Sequence, residues 1–297
     1  MLDRYLSNMS VDIAPFALCL LDSGWRLTLP GPPVSMLHFI VQGDGWVIGP
    51  DQQRKRIGAN WMIVVPNGMV HSLETASAIV DELTIPCTPD GPPIHRIVAG
   101  DGGPVDMVVG CGTLSVRYGE TIGLFDHLQD LLVVDLSSVP EVPQLFQSML
   151  TEQSQMQMGT PVLQGAIMTQ LMVHMLRQVA VDSDYHLPWL SALDDDRLGR
   201  VIDQMIAKPS VHHTVESLAE TANMSRSAFA KHFHDTFNRS PISMLNHLRM
   251  EQAARLLKTG RMPVDQVASR VGFSSRSHFS QAFKKHTGST PADFRQA

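Results

Sequence analysis

Val264-Asp265-Gln266-Val267-Ala268-Ser269-Arg270-Val271-Gly272-Phe273-Ser274-Ser275-Arg276-Ser277-His278-Phe279, continuing to Phe283 and Pro291, is the stretch on which the reading of this chain turns. An earlier stretch repeats it: Val215-Glu216-Ser217-Leu218-Ala219-Glu220-Thr221-Ala222-Asn223-Met224-Ser225-Arg226-Ser227-Ala228-Phe229, continuing to Phe233 and Pro241. Ala219 and Ala268 are 49 residues apart, whereas Phe229/Phe279, Phe233/Phe283 and Pro241/Pro291 are each 50 apart. The second turn therefore holds one extra residue, and the helix after it keeps the same register in both copies. Each copy begins with a short helix whose apolar residues recur one turn apart, Leu218 with Ala222 and Val267 with Val271. The small Ala219 or Ala268 admits a second helix at close range, which the tight turn of a helix-turn-helix requires. Gly272 suits the helix C-terminus because it accepts a left-handed backbone, and Asn223 is the usual substitute. Ser225 and Ser275 are good N-caps for the second helix of each pair.

That second helix buries two phenylalanines four residues apart, and its other face is polar. The polar face carries Arg226, Ser227 and Lys231 in the first copy, and Arg276, Ser277, His278, Gln281, Lys284 and Lys285 in the second. These side chains are of the types that reach base edges and phosphates from a helix lying in the major groove. A single match of this kind is weak, because amphipathic helix pairs occur in many folds. Two copies with matched aromatics and prolines are far harder to obtain by accident. Charge agrees. From residue 197 onward there are 15 Lys and Arg against 7 Asp and Glu, a net of +8, whereas residues 1–196 hold 8 against 22, a net of −14. The whole-chain value of −6 conceals a basic module joined to an acidic one, the footprint expected of a nucleic-acid binder.

Residues from about 195 to 295 resemble the DNA-binding domain of the AraC/XylS transcription regulators. The resemblance rests on both helix-turn-helices, on Leu245-x-x-Leu248-Arg249-x-x-x-Ala253-x-x-Leu256-Leu257 between them, and on the closing Pro291-x-x-Phe294-Arg295. It implies that each recognition helix enters one of two successive major-groove segments on one face of double-stranded DNA. Base reading then falls on Ser227, Ala230 and Lys231, and on Arg276, Ser277, His278 and Gln281. Ala230 departs from the pattern, since an alanine offers only apolar contact, so the first helix is the poorer reader. The resemblance also implies a homodimer, contact with RNA polymerase, and activation more often than repression.

Length fits two domains, and the fold class expected is α+β. It comprises an N-terminal cupin-like β-barrel (1–135), a helical linker with dimerisation helices (136–192) and an all-α double helix-turn-helix module (193–297). Short apolar runs such as Ala17-Leu18-Cys19-Leu20-Leu21, Met36-Leu37-His38-Phe39-Ile40-Val41 and Trp61-Met62-Ile63-Val64-Val65 are separated by Gly, Pro, Asp and Asn, which is strand-and-turn punctuation. Gly58 followed by Pro66-x-Gly68-x-x-His71 resembles the second cupin motif, and His38 lies where the first would put metal ligands. The His-x-His pair and the glutamate of that first motif are missing, so a three-histidine, one-glutamate centre cannot be assembled. A cupin enzyme fused to a DNA-binding tail is therefore disfavoured against a sensory barrel, and no cofactor is expected beyond a possible metal at His38 and His71. The helical window 161–181 is interrupted by Gln164, Gln170, His174 and Arg177, which makes it amphipathic rather than membrane-spanning. Three cysteines make no disulfide framework, and Met1-Leu2-Asp3-Arg4 opens no secretory signal, so the expected compartment is the cytoplasm.

The N-terminal segment further resembles an AraC subgroup with a cupin-type sensory domain, some of whose members respond to oxidants. Cys19 before the Ser23-Gly24-Trp25 turn and Cys111-Gly112-Thr113-Leu114 carry that resemblance. Cys19 and Cys111 lie on apolar runs and Cys87 in a loop-like Ile85-Pro86-Cys87-Thr88-Pro89. A cysteine in an apolar strand is most simply a small buried hydrophobe. The alternative is a thiol switch in which Cys111, with Cys19 as partner, carries the signal, provided the fold brings their Cα atoms within about 7 Å. His38 and His71 are the candidates for a small-molecule or metal signal. Asp194-Asp195-Asp196 reads as a linker or as an N-cap for a helix from Arg197.

Overall fold

The computed structural model describes residues 9–13, 16–75, 78–85, 95–118, 122–125, 128–181, 195–237, 239–260 and 262–296. Cys87 and Asp194 lie outside the described residues. The chain forms two compact units, whose described residues are chiefly 9–118 with 123–181 in one and 195–296 in the other. The architecture is α+β, a β-rich cupin-like N-terminal domain and a helical C-terminal one. In chain order the strands are β1 (Met9–Ile13), β2 (Ala17–Asp22), β3 (Trp25–Leu29), β4 (Met36–Gln42), β5 (Asp44–Ile48), β6 (Arg54–Gly58) and β7 (Trp61–Val65). They continue with β8 (His71–Glu74), β9 (Asp81–Thr84), β10 (His95–Ala99), β11 (Val105–Tyr118), β12 (Ile122–Gly123) and β13 (Leu132–Asp135). One sheet runs β10-β2-β11-β4-β7-β13, with β1 and β12 also paired to β11, and the other runs β6-β5-β8-β3-β9. The punctuated apolar runs became β2, β4 and β7 of the first sheet, and β11, 14 residues long, pairs with both β2 and β4.

Alternation decides what lies inside. On β2 and β11 the positions Ala17, Cys19, Leu21, Met107, Val109 and Cys111 join Met36, Ile40, Ile63 and Val65 of β4 and β7 in one core. Leu27, Leu29, Val47, Ile57 and Leu73 of the second sheet close that core from the other side. The outer side of the second sheet holds one fully buried charge. Glu74 accepts from Arg26 Nε at 2.7 Å, pairs with Arg26 Nη2, and faces Arg54 Nη2 at 2.9 Å. Two guanidiniums on one carboxylate give the paired, hydrogen-bonded surroundings that a buried charge requires.

Two helices, α1 (Val142–Ser154) and α2 (Thr160–Val181), cluster with the strands. The amphipathic window 161–181 thus forms one helix, burying Met168, Leu171, Met172, Met175, Leu176 and Val179. Met156 and Met158, in the turn before it, are exposed. Phe146 of α1 stacks on Phe39 with ring centroids 3.9 Å apart and meets Phe16 edge-on at 5.8 Å. Beneath the Phe146 ring lies Gly110 of β11, where an added Cβ would sit 2.3 Å from Phe146 Cζ. The buried Gln153 completes the docking: its Oε1 accepts from Phe16 N at 2.9 Å while its Nε2 donates to Phe16 O.

The second unit is helical: α3 (Asp196–Ala207), α4 (Val215–Thr221), α5 (Arg226–Phe237), α6 (Pro241–Thr259), α7 (Val264–Arg270), α8 (Arg276–Thr287) and α9 (Pro291–Gln296). Asp195 caps α3 by accepting from Arg197 N at 2.9 Å, so the helix begins one residue earlier than the sequence suggests. Thr214 and Ser217 form a reciprocal capping box at the start of α4.

The contact between Gly110 and Phe146 generates a stability prediction. Gly110→Ala should cost about 1–3 kcal/mol by overpacking, read as a lower urea midpoint. Phe146→Leu in the same chain should recover part of the loss, because it removes the ring atoms that the new methyl meets.

Candidate nucleic-acid interface and the histidine pair of the barrel

Each helix-turn-helix is built by the same three devices. The first helix ends in a left-handed residue, Asn223 at φ 54° or Gly272 at φ 86°. Beyond it the chain turns back in a Schellman pattern, Met224 N donating to Ala219 O at 3.0 Å and Phe273 N to Ala268 O at 2.9 Å. A Cβ at Gly272 would also meet Arg249 Nη2 and Ser210 Cα at 2.9 Å, so glycine is required there twice over. A serine then starts the second helix: Ser225 Oγ accepts from Ala228 N at 3.3 Å and Ser275 Oγ from His278 N at 3.4 Å. Finally Phe229 and Phe233, or Phe279 and Phe283, are fully buried and set the rotation of α5 and α8.

Arg249 of α6, missed by the sequence reading as a functional position, ties the two halves together. Its Nε donates to Pro209 O at 2.8 Å and its Nη2 to Val211 O at 3.1 Å, while its guanidinium lies 5.8 Å from the Phe273 ring centroid. The residues before α4 and the turn before α8 thus share one arginine. No local pattern flags this contact, because its partners lie about 40 residues away.

Anchoring the aromatic faces leaves the opposite faces outward. Arg226, Ser227 and Lys231 of α5 are exposed and Ala230 is half-buried. Arg276, Ser277, His278, Gln281, Lys284 and Lys285 of α8 are all exposed. The two helices differ in one respect that sequence did not reveal. Arg226 Nη1 is paired with Glu216 Oε1 of α4 at 2.8 Å, both side chains being exposed. Among the described residues the side chains of Arg276, Gln281, Lys284 and Lys285 take part in no hydrogen bond or ion pair. An exposed pair such as Arg226–Glu216 contributes little stability, but it occupies the arginine.

In the barrel, two of the four candidate sensing residues meet directly. His38 of β4 and His71 of β8 are buried, with Nε2 atoms 2.6 Å apart. His71 Nδ1 donates to Met69 O at 3.2 Å, which leaves His71 Nε2 as the acceptor and His38 Nε2–H as the donor. His38 Nδ1 is then a bare lone pair, buried with no hydrogen-bond partner. Burial is the main cause that pushes His71 down to about 4, and it holds His38 well below the ordinary histidine value, with the His71 charge adding to the effect. Both rings are therefore neutral at pH 7.

Whether a cupin-type metal fits is decided by the donors. Two imidazole nitrogens on one tetrahedral ion at 2.0–2.1 Å stand about 3.3 Å apart, and these two are closer. Among the described residues no third side chain joins them in a cluster that could hold an ion. Glu74 alternates to the opposite face of β8 from His71 and serves the two arginines. The pair as built does not fit a metal.

Cys111 lies directly across from His38, on the same face of the sheet. Cys19 pairs with Val109, and Cys111 pairs with Ala17. The two thiols are thus diagonal neighbours, about 7–8 Å apart for such positions, beyond ordinary disulfide reach. Both are buried and neither is in a disulfide.

A family model described as Helix-turn-helix domain matches residues 218–297, and one described as Cupin matches residues 1–180. The HTH-type transcriptional regulator MtrA of Neisseria gonorrhoeae is 27% identical over 284 residues, spanning 94% of this chain and 92% of that protein. The RCS-specific HTH-type transcriptional activator RclR of Escherichia coli is 27% identical over 283 residues, spanning 94% and 90%. The crystallised DNA-binding domain of AdpA, a global transcriptional factor in complex with a target DNA, is 36% identical and covers 34% of this chain and 91% of that one, with a TM-score of 0.33. With two helix-turn-helices built alike, C-terminal in sequence to a cupin-like domain, and with both family models matched, this chain belongs to the AraC-type helix-turn-helix transcription regulators that carry an N-terminal cupin domain.

Proposed function

We propose that this protein is a cytoplasmic, dimeric activator of transcription that reads DNA chiefly through α8, recruits RNA polymerase, and performs no catalysis of its own. The observation that carries the reading is the outward face of α8, where among the described residues the side chains of Arg276, Gln281, Lys284 and Lys285 have no partner, on a module of net charge +8. The named activity of the relative RclR, an activator, supports the sign of regulation. The dimer reading rests on α2, where Val162 and Leu163 stay exposed at one end and Val181 at the other. A full-length protein that sediments as a monomer at micromolar concentration, with and without DNA, removes that part. Two α8 helices in a dimer would face half-sites spaced by whole helical turns, about 34 Å or multiples of it.

The input is read inside the barrel, at His38 and His71. An orphaned, fully buried ring nitrogen is costly, and a small ligand carrying a hydrogen-bond donor would satisfy it. A resident metal is not part of this reading, because the donors do not suit one. A second reading, thiol oxidation, is favoured by the placement of Cys111 across from His38. There a peroxide would convert the Cys111 thiol to a sulfenic acid and itself be reduced to water or alcohol, without a bridge to Cys19.

Three outcomes follow. In the full-length protein, affinity for its own upstream DNA should fall steeply between low and moderate salt. Arg276→Ala should lose about 1–3 kcal/mol on the preferred site and relax its sequence preference, whereas Lys231→Ala should weaken all sequences alike. Gel-shift titrations in which Arg276→Ala discriminates as well as the wild type would overturn the assignment of α8.

The neutral histidine pair makes stability depend on pH. Because the folded pKa values are depressed, the unfolded chain takes up protons near 6.5 while folded His71 waits until about 4. The pair's contribution is therefore intact above pH 6.5 and declines as pH falls toward 4, by about 1.4 kcal/mol per pH unit for each histidine. Urea midpoints measured from pH 7.5 to 5 should fall more steeply for the wild type than for a His38→Gln, His71→Gln double variant.

The signal itself is read in a reporter strain challenged with peroxide. Loss of induction in Cys111→Ser, with normal DNA binding retained, supports the thiol reading. Unchanged induction there, with altered basal expression in His71→Gln, leaves the histidine pair as the sensor.

A further inference from the structure

Away from the barrel, one three-residue cluster in the DNA-binding unit has no part in the function argued above. His247 and Glu251 lie four residues apart on α6 and so share one face of that helix. His286, in the last turn of α8, approaches them from the neighbouring helix. Its Nε2 lies 2.7 Å from Glu251 Oε1, and its ring meets that of His247 edge-on with centroids 4.9 Å apart. One ligand atom from each of the three stands within 4.8 Å of the others. His247 and Glu251 are half-buried and His286 is exposed, so an ion from solution has access.

We propose that His247, Glu251 and His286 form a binding site for a divalent transition metal, with Zn²⁺ as the expected occupant. Two imidazoles and one carboxylate are a donor set that zinc accepts, with water filling the fourth position. Imidazole selects such ions over magnesium and calcium, which prefer all-oxygen shells. Ligands at about 2.0–2.2 Å from zinc stand roughly 3.3 Å from each other. Side-chain rotations would bring His247 inward and part His286 Nε2 from Glu251 Oε1 by about half an ångström, because the helices already hold all three on one spot. The contrast with the barrel pair lies in the donor set and in access: His38 and His71 are buried and lack the carboxylate, whereas this cluster offers three donors that solvent reaches. A metal needs the imidazole lone pair, so binding replaces the hydrogen bond between His286 Nε2 and Glu251 Oε1.

The ion would join α6 to α8. Since α8 carries the proposed reading face, an occupied site would fix the C-terminal end of that helix against the helix that spans the two motifs.

The test measures the metal and not DNA, so it stands whether or not the DNA reading does. Tag-free full-length protein is dialysed against Zn²⁺ at micromolar free concentration and its bound metal measured, with Co²⁺ as a spectroscopic probe of four-coordination. The wild type should retain one equivalent and show the cobalt bands. Glu251→Gln and His286→Gln should each bind about tenfold more weakly or worse, since even indirect changes around a metal cost 10–100-fold. His38→Gln should bind as the wild type does. A rise in thermal midpoint with Zn²⁺, present in the wild type and absent in both ligand variants, is a second readout. Glu251→Gln, a change at a half-buried helix surface, carries the test if His286→Gln does not fold. No bound metal in the wild type, or equal metal in wild type and Glu251→Gln, would overturn the proposal.

Discussion

Two pairs of phenylalanines decide which faces of α5 and α8 point outward. Phe229 with Phe233, and Phe279 with Phe283, are fully buried one turn apart on helices of only 12 residues. Each ring is worth about 1.5–3 kcal/mol of burial, so turning either helix about its axis would forfeit several kcal/mol. The exposed Arg226–Glu216 pair on the outer side of α5 contributes little beside that. The direction of Arg276, His278 and Gln281 is thus set by what lies behind them. The left-handed residue before each helix and the serine that starts it fix the remaining freedom, the angle at which the helix leaves its turn.

The barrel solves a different problem, that of polar groups in an apolar interior, and it solves it in two ways. On the outer side of the second sheet Glu74 keeps its charge because Arg26 and Arg54 both reach it. In the interior, His38 and His71 surrender theirs and share a hydrogen bond as neutral rings. The first arrangement meets charge with charge, although Glu74 Oε2 faces Arg54 without a well-formed hydrogen bond. The second leaves His38 Nδ1 unsatisfied, which in a well-packed protein is the more informative condition.

The helical unit was legible because its signals are local. Alanine, glycine or asparagine, serine and two phenylalanines recur in the same order within about twenty residues, one turn residue apart in spacing between the copies, and each has a steric or hydrogen-bonding reason to be there. Strands β2, β4 and β7 could be read from their apolar runs, but their partners could not. Strand β10 pairs parallel to β2 across more than seventy residues, and nothing in either run announces it. The meeting of His38 with His71 depends on two strands from different sheets closing on one another. The relation of Cys19 to Cys111 depends on register: a slip of two residues would set them opposite, and the pairing actually formed sets them diagonal. The gap that Gly110 leaves for Phe146 is likewise a property of packing between distant segments, and in sequence it is only a glycine in a strand.

The pairing of Arg226 with Glu216 gives the two reading helices different starting accounts with solvent. Among the described residues Arg276 makes no side-chain hydrogen bond or ion pair, so in the proposed DNA complex a phosphate or a guanine edge would displace no protein partner. Arg226 would first have to leave Glu216, whose carboxylate would then stand uncompensated beside the DNA. Dissolved ions loosen that internal pair and the protein–phosphate contacts together. If α5 lies on the duplex as proposed, part of what salt removes from its hold is returned by the easier release of its arginine, and the two helix-turn-helices then respond to ionic strength to different degrees.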